Sequence, residues 1–248
     1  MKAPDALLDR LTTIAGMESG RRRLVILMSQ LGDFDSLEYA QALARCQGRL
    51  DAADISVLAI GIGDDAGAQR FCQYTGFRRS QLQVDADAAL HRSLNLYAGL
   101  QSGLGPWPDL LLMCAGIGSP GTLAEVLRGY SGDRSAPARF STNQIGARAL
   151  VPGALFDRLG QGYQRPFELA TVRLQNMLEV LGRWRTYVPR DDFITQRGGT
   201  WLLDRDDQVL VSHRDPGILG FSATMAQPLA FLEPYLSDAI VEAELSGA

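Results

Sequence analysis

The sequence predicts one α/β domain over residues 1–248, with a mixed sheet flanked by helices. A chain of 248 residues with 46% hydrophobic side chains is long enough to bury one substantial core. In its first part, apolar runs alternate with helical patterns, which favours parallel strands covered by helices. Near the carboxyl end, two short apolar runs flank a polar turn, which indicates an antiparallel β-hairpin. A large insertion at about 97–190 is expected before that hairpin.

The first part of the chain alternates strands and helices. Compact apolar runs predict the strands, and apolar residues at three- and four-residue steps predict the helices. Glycine and aspartate residues mark the helix ends. The expected elements are strand 23–29, helix 35–49, strand 55–62, helix 66–74 ended by Gly76, strand 82–84, and helix 87–96 with Asp85 or Asp87 as its N-cap.

The insertion interrupts this alternation. Residues 97–165 are rich in Gly, Pro and Ser, and one short helix is expected there at about 122–129. Pro166 suits the first position of a longer helix, which should run over 166–187 and carry an apolar stripe. The hairpin strands are then expected at 200–204 and 209–213, before a last helix.

Composition and charge exclude several classes of function. The formal net charge of -4 gives no broad positive field for nucleic acid, and the basic cluster 21–23 reads as the solvated start of a strand. No apolar run approaches the roughly 20 residues that span a bilayer, and no signal pattern opens the chain. We therefore expect a cytoplasmic protein without a membrane span.

Cysteine and histidine usage gives no sign of a metal or cofactor site. The three cysteines are widely spaced, and the chain has two histidines, so neither a disulfide framework nor a zinc site is expected. The stretch from Gly116 to Gly121 matches the G-x-G-x-x-G spacing. No acidic residue at the end of a second strand follows it, so we expect a helix start with Ser119 as its cap and no dinucleotide.

Several local motifs together resemble a known family. They are Ile60-Gly-Ile-Gly-Asp64, Arg70-Phe-Cys-Gln-Tyr-Thr-Gly-Phe77, Val84-Asp-Ala-Asp87, the passage 90–96, Gly198-Gly-Thr-Trp-Leu-Leu-Asp204 and His213-Arg-Asp215. Over roughly residues 20–235 the chain resembles the peroxiredoxin-like (AhpC/TSA-related) family of cyanobacteria, plastids and animals. The resemblance implies a thioredoxin-like fold and an antioxidant ancestry. It also implies a redox cysteine in the loop after the first strand, at the first turn of the next helix.

That redox loop contains no cysteine in this chain. The corresponding stretch is 29–39, where Asp33, Asp35, Ser36 and Glu38 stand at the helix start. Asp35 and Glu38 have the spacing of a capping-box variant. Since carboxyl and hydroxyl groups cannot follow the reversible oxidation of sulfur, the usual peroxidase cycle is not expected at this position. The negative charges would also oppose a thiolate placed among them.

The facing loop departs from the family in a second way. Proteins of this fold place a cis-proline just before the strand opposite the redox loop, whereas this chain has Gly198 and Gly199 before Thr200. The face opposite Asp33 should therefore have a different shape. A plain turn leading into the strand would also suit glycine.

The cysteines outside the loop are first read as structural. Cys72 lies between aromatic residues in a predicted helix and behaves as a small hydrophobe. Cys46 lies near the end of a predicted helix, where its side chain could be partly exposed. Cys114 stands in an apolar run that should raise its pKa and suppress its reactivity. Cys72 and Cys46 are the candidate thiols if any chemistry persists.

Three hypotheses follow from the sequence. The first is a redox-inactive family member that keeps the fold as a binding or assembly module for an unidentified protein or small molecule. The second is a thiol-dependent antioxidant peroxidase or reductase that uses Cys72 or Cys46, and the third is a small-molecule-binding protein that uses the Gly-rich insertion.

The helix 166–187 could serve either binding hypothesis. Its arginines would form a ligand-facing surface or a solvated basic face, and its aromatic end, near Trp201, could form the contact of a homodimer. The residues concerned are Arg165, Arg173, Arg183, Arg185, Trp184 and Tyr187.

Overall fold

The computed structural model describes residues 1–140, 158, 160 and 162–236. Its centre is a mixed five-stranded sheet in the order β3-β2-β1-β4-β5. The strands are β1 Arg22–Gln30, β2 Ile55–Ile62, β3 Leu82–Val84, β4 Gly199–Leu203 and β5 Val209–Arg214. Strands β1, β2 and β3 run parallel, and β4 is antiparallel to both β1 and β5. The predicted α/β class, the parallel early strands and the hairpin are confirmed.

Helices cover both faces of the sheet. They are α1 Asp5–Leu11, α2 Phe34–Ala52, α3 Asp65–Thr75, α4 Ala89–Ser93, α5 Pro106–Cys114, α6 Thr122–Ser131, α7 Glu168–Leu181 and α8 Trp184–Tyr187. Short 3-10 turns occur at Arg79–Gln81, Asp191–Phe193 and Ala230–Leu232. No helix in the described part of the chain is long and apolar enough to cross a membrane.

The central strand β1 separates two cores. Leu24 and Ile26 pack with α2 and α3 on one face, whereas Val25 and Leu27 pack with α1, α4 and Trp201 on the other. Side chains alternate between the faces of a strand, so a strand buried on both sides reads as an unbroken apolar run. This explains why β1 was predictable from its sequence.

The register between β1 and β4 positions the two loops of the site. Leu27 pairs with Gly199, and Ile26 pairs with Thr200. A Cβ atom on Gly198 would overlap the Leu27 carbonyl oxygen. Gly198 is therefore required by the close approach of the two chain segments, which is more than a simple turn demands. The described residues contain no cis peptide bond.

Several helix boundaries differ from the predicted ones. The chain begins with the unpredicted helix α1, and α5 is a second helix that the sequence did not indicate in the insertion. Helix α4 is shorter than expected because Ala88 has a φ of 51°, although Asp85 does accept a hydrogen bond from the Leu90 amide.

The predicted helix 166–187 is two helices. Its first part, α7, begins after Phe167, which has a φ of 67°, so Pro166 is not the first helical residue. Helix α7 ends at Leu181, and α8 begins at Trp184. A last helical turn starts at Glu233, and the remainder of the expected terminal helix lies outside the described residues.

Candidate functional site

The site lies where β1 ends and α2 begins. Asp33 is the N-cap of α2, and its carboxylate accepts a hydrogen bond from the Asp35 amide at 3.1 Å. The expected capping box from Asp35 to Glu38 is therefore wrong. Helix α2 begins two residues earlier than that box requires, so Asp35 lies inside the first turn and its buried carboxylate is used elsewhere.

A buried arginine connects the loop after β1 with the loop before β4. The guanidinium of Arg197 lies 2.7 Å from an Asp33 carboxylate oxygen and 3.6 Å from one of Asp35. Its other nitrogens donate to the Thr195 and Ile194 carbonyl oxygens, both at 2.9 Å. Arg197 is 1% exposed, so this charge is held almost entirely by protein groups. The sequence did not single out this residue.

Asp215 adds another carboxylate on the same side of the sheet. One of its oxygens accepts a hydrogen bond from the Gly198 amide at 3.1 Å. The other has no hydrogen-bond partner in the described structure and lies 3.7 Å from Nε2 of His213. That nitrogen is 2.7 Å from the Gly220 carbonyl oxygen.

Burial governs the charge state of this cluster. Desolvation raises the pKa of Asp215 to about 7, against the opposing charge of Arg197. Desolvation and the neighbouring charge of Asp33 raise the pKa of Asp35 well above its usual range, although Arg197 and the Leu219 amide act in the opposite direction. The cluster thus contains three carboxyl groups and one guanidinium group. Burial favours the neutral form of the two more deeply buried carboxyl groups, those of Asp35 and Asp215.

Asp35 also fixes the segment after β5. Its two carboxylate oxygens lie 3.0 and 2.8 Å from the Leu219 amide nitrogen, which donates to them. Leu219 has a φ of 55°. The strained backbone at Leu219 is therefore tied directly to the first turn of α2.

The remaining predicted site residues do not join this cluster. The hydroxyl of Ser36 lies 3.1 Å from that of Ser29, and the hydroxyl of Thr200 lies 3.0 Å from that of Tyr39. Glu38 faces the insertion, where Arg173 at 2.9 Å and Arg139 at 3.3 Å pair with it. Of the predicted loop residues, Asp33, Asp35 and Gly198 come together, whereas Ser36, Glu38 and Thr200 have other structural partners.

An apolar cleft opens beside Asp33. A volume of about 410 Å³ lies between α5, α6, α7 and the segment after β5, and Phe34 and Cys114 form one end of it. A smaller space of about 80 Å³ shares Phe34 and Cys114 and continues to Asp33. Further lining residues are Val126, Tyr130, Phe167, Leu174, Met177 and Ile218.

The three thiols differ in their exposure, and Cys72 is buried as its helical setting predicted. Cys46 and Cys72 are both buried, and burial raises the pKa of each, that of Cys72 to about 11. Cys114 is exposed at the end of α5. Partial enclosure of its side chain and the charge of Asp33 raise its pKa, in the direction that the apolar run predicted. Cys114 is exposed despite its apolar neighbours because α5 turns only one face inward, with Met113 fully buried.

The glycine-rich motif joins two helices. The apolar run 110–115 belongs mostly to α5, and Gly121 is the N-cap of α6, so no strand precedes this motif. Ser119 is not the cap. Its hydroxyl accepts a hydrogen bond from the Ile218 amide at 2.7 Å and so holds the segment after β5 against the insertion. In the described residues no group of His, Cys, Asp and Glu is placed to hold a metal.

The arginines in and next to the 166–187 region form ion pairs, and Arg173 also lines the apolar cleft. Each one is paired with a carboxylate of the protein: Arg165 with Glu168, Arg173 with Glu38 and Glu125, Arg183 with Glu179, and Arg185 with Asp191. The aromatic end of this region also differs from expectation, because Tyr187 is fully buried and Trp201 belongs to the opposite core.

Comparison with known proteins identifies the family. A family model described as AhpC/TSA antioxidant enzyme matches residues 42–217. The match covers Arg197, Gly198 and Asp215 and begins inside α2, after Asp33 and Asp35. No curated protein and no solved structure matches significantly. Because the family model matches well over half of the sequence, the chain belongs to the AhpC/TSA antioxidant enzyme family.

Proposed function

We propose that this chain is a redox-inactive family member that retains the fold as a binding module. The observation that carries the proposal is the ion pair between Asp33 and Arg197, with Asp35 and Asp215 beside it. The pair occupies the place where the family resemblance puts a redox cysteine.

The chemistry of this cluster opposes peroxide reduction. A reactive thiolate needs a nearby unneutralised cation or free helix amides to lower its pKa. Here Asp33 already caps the helix and neutralises Arg197. A thiolate formed nearby would meet the Asp33 carboxylate instead of a free positive charge.

The apolar cleft supplies the binding part of the proposal. Its volume of about 410 Å³ lies within the range of small-molecule sites, and its walls are mostly apolar. Arg173, a charged residue in its wall, is already paired with Glu38 and Glu125. These features favour an uncharged, largely apolar small molecule as the ligand.

The insertion also supports an assembly role. Leu174, Leu178 and Leu181 form a stripe along α7 and are exposed. Such a stripe suits a protein partner or a second copy of the chain. The three cysteines are free, which supports a reducing, cytoplasmic compartment.

A peroxide assay tests the redox-inactive assignment. The wild-type protein is incubated with hydrogen peroxide and either dithiothreitol or a thioredoxin system, and peroxide consumption is followed. We expect consumption no faster than that of an equal concentration of free thiol. Catalytic turnover well above that background would overturn the assignment.

A second candidate function rests on the exposure of Cys114. Its thiol lines the cleft beside Phe34, unlike the buried Cys46 and Cys72. In a peroxidase cycle its thiolate would attack one peroxide oxygen, form a sulfenic acid and release water, and an external dithiol would restore the thiol. Turnover lost in Cys114→Ser and kept in Cys46→Ser and Cys72→Ser would establish this candidate.

A neutral fluorescent probe tests the cleft. N-phenyl-1-naphthylamine should bind the wild-type protein saturably with enhanced fluorescence. Val126→Asp places a charge in the cleft wall and should weaken that binding, whereas Leu127→Asp, on the same helix but outside the lining, should leave it unchanged. Equal binding by the two variants would contradict a ligand site in this cleft.

A further inference from the structure

A second cavity lies on the outer side of α2, apart from the Asp33 cluster. It has a volume of about 660 Å³ and is bounded by α2, by residues 134–139 and by residues 226–233. Among the described residues, its lining carries one carboxylate, that of Glu233, and four guanidinium groups, those of Arg45, Arg49, Arg134 and Arg139.

Helix geometry explains how α2 forms one wall. Ala42, Arg45, Cys46 and Arg49 recur at three- and four-residue steps, so they share one face of the helix. Ala42 and Cys46 are buried and form the base of the wall, whereas the two arginines are exposed at the rim. Long guanidinium side chains therefore stand around a small apolar base.

The acidic groups nearby do not balance these arginines. Glu233 pairs with Arg49 at 2.6 Å. Glu38 pairs with Arg139, but it is shared with Arg173, which lies closer to it. Arg173 has a second partner in Glu125. Glu38 and Glu233 therefore supply two negative charges against the four guanidinium groups of the lining.

Two arginines of the cavity, Arg45 and Arg134, differ from the others in their pairing. In the ranges that the structure describes, neither Arg45 nor Arg134 forms a salt bridge with a carboxylate. Arg134 lies over the ring of Tyr163, with 5.6 Å between the guanidinium carbon and the ring centroid. This contact supplies no negative charge that would neutralise Arg134.

The positive charges also oppose one another. Partial enclosure and the charge of Arg139 lower the pKa of Arg45, and the charge of Glu38 acts in the opposite direction. Burial lowers the pKa of Arg139, and its buried Nε atom has no hydrogen-bond partner among the described residues. Like charges held together in a partly enclosed space are costly, so a bound anion would relieve this repulsion.

We propose that this cavity binds a small molecule carrying two or more phosphate groups. Guanidinium groups match phosphate oxygens in a bidentate geometry, and several of them around one space suit several phosphates. The volume of about 660 Å³ is far larger than one phosphate needs and fits a ligand of nucleotide size. The excess of positive charge is local to this cavity, because the whole chain has a formal net charge of -4.

Calorimetric titration of the full chain tests the proposal with orthophosphate, tripolyphosphate and ATP as probes. Tripolyphosphate and ATP should bind saturably, and orthophosphate should bind more weakly. Arg45→Gln and Arg134→Gln should each weaken binding about 10-fold or more, because each loses a charge-assisted interaction. Both residues are exposed, so neither change removes core packing. The matched control is Arg205→Gln, in the exposed turn between β4 and β5.

Equal affinities for tripolyphosphate and ATP would identify the phosphate chain as the recognised group, and tighter ATP binding would identify a nucleotide. No saturable binding of either probe below about 1 mM would overturn the proposal. Binding that both glutamine variants leave as strong as the Arg205→Gln control would also overturn it.

Discussion

The buried carboxyl group of Asp215 should make the stability of this protein depend on pH. Its pKa is raised from 3.8 to about 7, chiefly by burial, so the folded state binds the proton more tightly than the unfolded chain does. The stabilisation from that proton is complete below the unfolded pKa and is lost as the pH rises through about 7. Asp215→Asn removes the titration and keeps an oxygen that can accept the Gly198 hydrogen bond.

The size of the effect follows from the shift in pKa. When a carboxyl group has a higher pKa in the folded protein, the free energy of unfolding falls with rising pH. The fall is about 1.4 kcal/mol for each pH unit between the pKa of the unfolded chain and that of the folded protein. Between about pH 5 and about pH 8, the wild-type protein should lose about 3 kcal/mol relative to Asp215→Asn. Taking the difference between the two proteins removes the contributions of other titrating groups, which both share.

Urea unfolding followed by circular dichroism measures this difference. The free energy of unfolding is determined for wild type, Asp215→Asn and the control Asp206→Asn, whose side chain is exposed in the β4–β5 turn. The advantage of Asp215→Asn should grow with pH, whereas Asp206→Asn should follow the wild type. A constant difference between Asp215→Asn and wild type over this range would show that Asp215 is ionised throughout, and the reasoning would fail.

Three further perturbations have expected outcomes. Arg197→Met leaves buried carboxyl groups without their cation and should lower the free energy of unfolding in urea by about 3–5 kcal/mol; an unchanged value would refute the ion pair. Gly198→Ala should lower the melting temperature through backbone overlap, whereas Gly48→Ala, in an open helical position, should raise stability by about 1 kcal/mol. With a maleimide, mass spectrometry should show one rapid addition, at Cys114, and rapid labelling of either other cysteine would contradict their burial.

The sheet could be predicted because its signals are local. The run around Leu24 and Ile26 is apolar throughout because β1 is buried on both faces, and Gly76 marks the end of α3 with a φ of 76°. The hairpin is indicated by a polar turn between short apolar runs. Each of these signals depends on neighbours within a few residues.

The site could be predicted only in part because its contacts are distant in sequence. The resemblance placed Asp33 and Asp35 at the helix start, but Arg197 reaches them through the pairing of β1 with β4. An arginine beside two glycines has no local pattern that indicates burial. The exposure of Cys114 was missed for a related reason, because local hydrophobicity does not reveal which face of a short helix packs inward.

The position of β4 has a consequence for how the chain is made. Strand β1 is synthesised early, but its second neighbour in the sheet is β4, which begins at Gly199. Until the ribosome has released β4, one edge of an apolar strand has no native partner and can pair with another chain. Lengthening the insertion would cost little equilibrium stability, because loop-closure entropy grows slowly with length. It would, however, extend the time during which the β4-side edge of β1 is without its native partner.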